Sequence, residues 1–224
     1  MYTLFTDILI VVFTVFLFYI LIPEILLHLL GIGTWRRQYS PGVTLTFDDG
    51  PDPRYTPKIL DLLKEKDIKA TFFLIGEKAE KYPELVRDII ANGHLIGCHC
   101  YKHRHAWTML PSTTFKLWDK GLKTLKGLTG QEPLFIRPPW GCFTLSLFIW
   151  CKIRKKKAIS WNAKGYDWNS KQTPSNIIKN ILRNTKEGSI ILLHDSGGDE
   201  TAPLNTILAL EELSKLINDD TKLP

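Results

Sequence analysis

The sequence predicts a parallel, barrel-like α/β fold standing behind one transmembrane helix. Three observations carry this reading. An apolar run lies near the amino terminus, strand-like and helix-like segments alternate from Ser40 onward, and chemistry-bearing motifs stand just beyond the strand ends.

The apolar run covers Ile8 to Ile22 and resumes from Ile25 to Ile32, with Pro23 and Glu24 between. At ~1.5 Å per residue it is long enough to cross roughly 30 Å of hydrocarbon. It is apolar on all sides, which sets it apart from the half-buried helix of a soluble domain. It has no basic leader region and no small-residue cleavage site, as a cleaved signal peptide would. Tyr2, Tyr19 and Trp35 are placed to sit at the membrane interfaces. The chain therefore divides into an anchor, 1–34, and a soluble domain, 35–224. Arg36 and Arg37 follow the helix and no Lys or Arg precedes it. Taken alone, that flank argues for a cytoplasmic domain, although long domains cross regardless of charge.

Val43 to Phe47 alternates and is β-branched, so it reads as a strand. Thr56-Pro57 opens a helix running to about Lys66. Ala70 to Ile75 is a second strand. Pro83 starts a helix that Asn92-Gly93 ends. Leu95 to Gly97, Leu134 to Ile136, Ala158 to Trp161 and Ser189 to Leu193 complete the strands. Helices fall at Thr113 to Leu128, Ser146 to Ile153, Thr173-Pro174 to about Asn184, and Pro203 to Asn218.

The net charge is +6, and the anchor contributes only Asp7 and Glu24, so the soluble part is more basic still. That balance suits an anionic surface or a cell-wall polymer. No interleaving of aromatic and basic residues points to nucleic acid, and Arg154-Lys155-Lys156-Lys157 reads as a solvated loop before a strand. Four cysteines, Cys98, Cys100, Cys142 and Cys151, are too few and too clustered for a disulfide framework.

In a parallel barrel, active residues collect beyond the carboxyl ends of the strands. Beyond Phe47 stand Asp48 and Asp49, adjacent acids that need a cation or Arg nearby to stay ionised together. Beyond Gly97 stand His99 and His103, spaced to share one face of a helical turn. One Asp with two His is a first shell for Zn²⁺ and also the pattern of non-haem Fe(II). Beyond Ile136 lies Arg137-Pro138-Pro139-Trp140-Gly141, beyond Trp161 lies Asp167-Trp168, and the last strand ends in Leu192-Leu193-His194-Asp195. His94 and His105 read as bland surface residues.

The ordered series T-F-D-D-G-P-D, H-C-Y-K-H, R-P-P-W-G, D-W and L-L-H-D, spread from Pro41 to Asn218, resembles the NodB-type polysaccharide deacetylase family. The resemblance implies a distorted (β/α) barrel of about six to seven parallel strands. It implies one divalent metal, usually zinc, with cobalt or iron compatible, and hydrolysis of acetyl groups on an N-acetylated polysaccharide. By the same resemblance Asp49, His99 and His103 hold the metal, Asp48 is the general base and His194 the general acid. Arg137 holds Asp48, Asp167 orients His194, and the Trp140 N–H donates to an oxyanion. Trp140, Trp168 and Leu192 contact substrate, the latter two as walls of a methyl pocket. An anchored enzyme of this kind is expected outside the cytoplasm. A deacetylase or deformylase of a lipid-linked sugar, suggested by Arg36-Arg37, and an inactive carbohydrate-binding relic are the alternatives.

The chain departs from the family pattern in three places. Cys98 and Cys100 replace the usual Asn and Ser or Thr, and read as small buried residues. After the last helix, Asn218 to Leu223 offers no strand, so an opening is expected between the first and last strands. Gly197-Gly198-Asp199-Glu200 reads as a loop after the catalytic His.

Overall fold

The computed structural model describes residues 2–28, 31, 34–35 and 42–217. The Arg36-Arg37 flank and the segment after Ile217 lie outside the described residues. The amino-terminal apolar residues form α1 (Tyr2–Phe16), a π-helical turn (Leu17–Leu21) and α2 (Ile22–His28). One uninterrupted span, Leu4–Leu26, is long and apolar enough to cross a membrane by length and composition. Pro23 does not break it. Proline lacks an N–H and crowds the preceding carbonyls, and the wider turn just before it accommodates both defects.

Eight strands follow one another in the sheet, all paired in parallel. They are β1 (Thr34–Trp35), β2 (Thr44–Asp48), β3 (Ala70–Leu74), β4 (Leu95–Cys98), β5 (Phe135–Ile136), β6 (Lys157–Ile159), β7 (Ala163–Lys164) and β8 (Ile190–His194). The spatial order is β1-β6-β5-β4-β3-β2-β8-β7. The expected six to seven strands are exceeded by the two-residue strands β1 and β7. The expected opening between the first and last predicted strands is also absent: β2 and β8 pair along their whole length, Thr44 with Ile190 through Asp48 with His194. The sheet's edges are β1 and β7 instead. Trp35 is part of edge strand β1, paired with Ile159, with its ring against Phe135 and Lys157. That position replaces its expected place at a membrane interface.

Geometry forces the sheet to curl. Only residues 160–162 separate β6 from β7, a reach of about 14 Å between flanking Cα atoms. In a flat sheet the six strand spacings between them would cover about 29 Å. The connection is possible only because the sheet rolls into a distorted barrel with its two edges drawn together.

The helices surround this sheet. They are α3 (Thr56–Glu65), α4 (Gly76–Lys81), α5 (Pro83–Ala91), α6 (Pro111–Thr129), α7 (Leu145–Ile153), α8 (Pro174–Asn184) and α9 (Ala202–Ile217). Proline stands in the first turn of α3, α5, α6 and α8, where its missing N–H costs nothing. Gly130 ends α6 in the left-handed conformation. The core joins Phe47 stacked on Phe72 to Trp118 packed on Trp150, all fully buried. Trp150 keeps its indole N–H satisfied by Asp119 at 2.9 Å. Cys98 and Cys100 are buried in the same core, and burial pushes the Cys100 thiol up to about 11, so it packs as a small neutral side chain.

Candidate active site

The rolled sheet brings the carboxyl ends of β2, β4, β5, β7 and β8 to one mouth, a cleft of about 580 Å³. Asp48 ends β2 and is almost wholly buried. A buried carboxylate needs a charged partner, and Arg137 just past β5 supplies it at 2.7 Å. The same guanidinium donates to Thr46 Oγ1 at 2.8 Å and to the carbonyls of Ile159 and Ser160 at 3.2 and 3.1 Å. It also lies over the Phe73 ring. Arg137 is thus held from four directions, and it ties up one oxygen of Asp48.

Asp49 is the next residue, in a left-handed backbone conformation with φ of 73°. Its Oδ1 approaches His99 Nε2 at 3.2 Å and His103 Nε2 at 3.1 Å. His99 Nδ1 lies 2.6 Å from the Arg137 carbonyl, which can only accept, so Nδ1 carries the proton. A neutral His99 therefore turns a lone pair at Nε2 toward a carboxylate oxygen. Asp49 Oδ1 is buried and makes no well-aligned hydrogen bond. Burial works to raise the Asp49 pKa, but the close side-chain contacts with His103 and His99, with the charge of His194 across the cleft, outweigh it and hold the carboxyl well below its ordinary value. Three donor atoms converging within 4.8 Å around a buried carboxylate oxygen suit a positive ion. The residues present therefore fit the divalent metal that the motifs imply. The Arg137 carbonyl on His99 is the kind of outer contact that fixes a metal-ligand tautomer.

Across the cleft, His194 ends β8. Its Nδ1 lies 2.9 Å from Asp167 Oδ1, and its backbone N–H donates to Asp167 Oδ2 at 2.7 Å. Thr206 from α9 donates to that same oxygen at 2.9 Å. Burial disfavours the charged ring, but the Asp167 carboxylate outweighs it and pushes His194 up to about 9. Trp168 meets the His194 ring edge-on, and Leu192 lines the cleft two residues before it. Trp140 lies on a short turn with φ of 54°, largely exposed, its ring 4.1 Å from that of His103. No acceptor among the described residues takes its backbone N–H. Every residue given a role from the motifs lines the cleft except Arg137 and Asp167, which stand buried behind it.

Sequence reading missed several contributors. Lys78 on α4 donates to the Asp49 carbonyl and to Ser196 Oγ, both at 2.7 Å, and so ties the β2 loop to the β8 loop. Gly197 was read as plain loop, yet a Cβ there would stand 2.3 Å from Asp49 Oδ2, and one on Gly198 2.3 Å from the Trp168 carbonyl. The glycines let this loop lie flat on the site. Asp195 is fully buried against Gly50 and accepts from Thr56 at 2.6 Å, and burial pushes it up to about 7. Lys164 and Trp161 also line the cleft. The motif L-L-H-D contained Asp195, whereas Lys78 sits on a helix where no strand-end rule directs attention. His94 is buried rather than a surface residue, taking the Ala70 N–H at 3.3 Å. His105 is half-buried, between Trp107, Trp140 and Cys142.

A family model described as polysaccharide deacetylase matches residues 36–152, just over half of the chain. Two Bacillus cereus proteins named peptidoglycan-N-acetylglucosamine deacetylase resemble the chain at 40% identity over 156 residues and 37% over 188. The first match covers 70% of this chain and 56% of that protein, the second 82% and 85%. A solved peptidoglycan N-acetylglucosamine deacetylase, in complex with 4-naphthalen-1-yl-N-oxidanyl-benzamide, superposes with a TM-score of 0.78 at 34% identity. That match covers 84% of this chain and 87% of the other. With the five motifs gathered at one mouth of the same rolled sheet, the chain belongs to the polysaccharide deacetylase family.

Proposed function

We propose that this chain is a divalent-metal-dependent hydrolase that removes N-acetyl groups from an amino-sugar polysaccharide, with peptidoglycan as the first substrate to try. The observation that carries the reading is the buried Asp49 Oδ1 facing two imidazole nitrogens, one of them held as a lone pair by the Arg137 carbonyl. The relatives' names support the choice of polymer.

An amide is a weak electrophile with a poor leaving group, so the site must activate both ends of the reaction. A divalent cation held by Asp49, His99 and His103, zinc before cobalt or iron, would supply Lewis acidity to the acetyl carbonyl and the attacking water. Asp48 has one oxygen tied to Arg137, and no partner among the described residues takes the other. It accepts the water's proton during attack, as a general base. The unpaired Trp140 N–H donates to the carbonyl oxygen as charge gathers there, a contact of the type that contributes about 3 kcal/mol. His194, kept protonated by Asp167, passes its proton to the departing amine. Trp168 and Leu192 close around the acetyl methyl group.

Residues 1–34 are read as the anchor and 35–224 as the catalytic domain. The domain works outside the cytoplasm, where such polymers lie. The test is acetate release from peptidoglycan, chitin oligomers and acetylxylan after chelation and re-addition of Zn²⁺ or Co²⁺. Metal-restored release that Asp49→Ala and His99→Ala abolish is expected. Full release from either variant would sink the reading.

A further inference from the structure

α7 carries an apolar stripe that nothing among the described residues covers. Leu145, Ile149 and Ile153 are spaced four apart on one face and are 39%, 43% and 57% exposed. Leu147, Trp150 and Cys151 bury the other face. A helix of nine residues with three bare branched aliphatics in a row has an occupant for them or risks aggregation.

The apolar span leaves the domain at the same corner. The π-helical turn packs against α7. Tyr19 hydrogen-bonds Ser146 of α7 at 2.7 Å and donates to the Met109 carbonyl at 3.4 Å. Glu24 accepts the Phe143 N–H at 2.7 Å and the Trp107 indole N–H at 3.0 Å. Pro23 is buried, whereas every residue from Leu4 to Phe16 is exposed. The carboxyl-terminal part of the span is thus clamped to the domain by polar contacts. Residues 4–16 of α1 rise exposed for about 20 Å. Exposed Leu110, next to Met109, and exposed Trp107 flank the clamp.

The stripe runs into Lys152 and the basic run. Arg154 pairs with Asp119 and Lys156 with Glu132. Lys157 lies over the Trp35 ring. Lys152 and Lys155 are exposed and have no carboxylate partner among the described residues. Lys152 lies over the Phe148 ring, so both lysines keep their charge without a carboxylate to neutralise it, and apolar side chains flanked by such cations, on a helix beside an exposed apolar span, match the chemistry of an anionic lipid surface.

We propose that α7 is a membrane seat. Leu145, Ile149 and Ile153 dip into the bilayer beside the anchor, and Lys152 and Lys155 meet anionic headgroups. The proposal rests on reading the amino-terminal helix as a membrane span. It explains why Tyr19 ties that helix to α7 and Glu24 ties it to the chain just before α7 and to Trp107, instead of leaving the domain on a free tether. It also places the Trp140 turn, which leads into α7, close to the membrane plane.

The test uses the full chain in nanodiscs of phosphatidylcholine, with and without phosphatidylglycerol. The photoreactive residue p-benzoylphenylalanine is placed at Ile149, at Ile153, or at exposed Leu95 as a control, and adducts are read by mass spectrometry. Lipid adducts at both stripe positions and none at Leu95 are expected. Lys152→Glu combined with Lys155→Glu should lower their yield in the anionic discs only. Adducts to a second copy of the chain, or none at either stripe position, overturn the seat while the chain stays integrated. Release of the chain by an alkaline carbonate wash overturns the anchor reading itself, and the seat with it.

Discussion

The buried charges in and behind the cleft each stand in a different electrostatic setting. The Asp48–Arg137 pair is buried, and breaking such a pair from one side costs about 3–5 kcal/mol. Arg137→Met is therefore expected to lower the denaturant midpoint as well as turnover. His194 sits at about 9 against an ordinary 6.5. Its contribution to stability is complete below 6.5 and is lost as pH rises through 9. In the proposed role of acid it must hold its proton, and a cation beside Asp49 offsets that carboxylate's raising effect, so the alkaline limb of kcat/KM is expected below about 9. Asp167→Asn removes the raising charge and is expected to move that limb toward or below 6.5, read from the pH–rate profile. Asp195 acts in the same direction in a lower pH window. Its folded value of about 7 against 3.8 means the folded chain binds the extra proton, so its contribution to stability falls as pH rises from 3.8 to 7. Asp195→Asn should flatten the dependence of Tm on pH across that window. Gly197→Ala pushes a methyl into Asp49 at φ of +78° and is expected to weaken metal affinity about 10- to 100-fold by chelator competition. Residues at strand ends were legible in the sequence because the barrel rule points there. Lys78 and the Gly197-Gly198 pair were not, because their roles are distances to backbone and carboxylate atoms that no spacing encodes.

At the scale of elements, long segments with strong patterns were readable and short ones were not. Val43 to Phe47 and Ser189 to Leu193 alternate or run apolar over five residues, and both form interior strands. Strands β1 and β7 have two residues each, too few to show a period, and exist only because neighbours supply the hydrogen bonds. Helix α4 escaped notice because six residues with Gly76 at the start carry no amphipathic signal. Pairing of β2 with β8 was invisible for a further reason: it joins segments some 145 residues apart. Packing between α6 and α7 includes the paired indoles of Trp118 and Trp150. Trp118→Ala is expected to cost about 3–5 kcal/mol, measured as a shift in the unfolding midpoint, because the emptied volume has no side chain to refill it.

Over the whole molecule, one device fixes the mouth of the sheet: the short link between β6 and β7. That link contains Trp161, which lines the cleft, lies over the Arg137 guanidinium, and leaves no room for a side chain at Gly141. The strip of chain that draws the two rims of the sheet together is therefore also a wall of the reaction vessel. Lengthening it by a Gly-Gly insertion would relax the roll and displace an indole from the substrate's path in one stroke. Such a variant is expected to lose turnover out of proportion to any fall in Tm. Diversity in what this scaffold accepts must then arise from its other rim loops, since this one is too taut to vary.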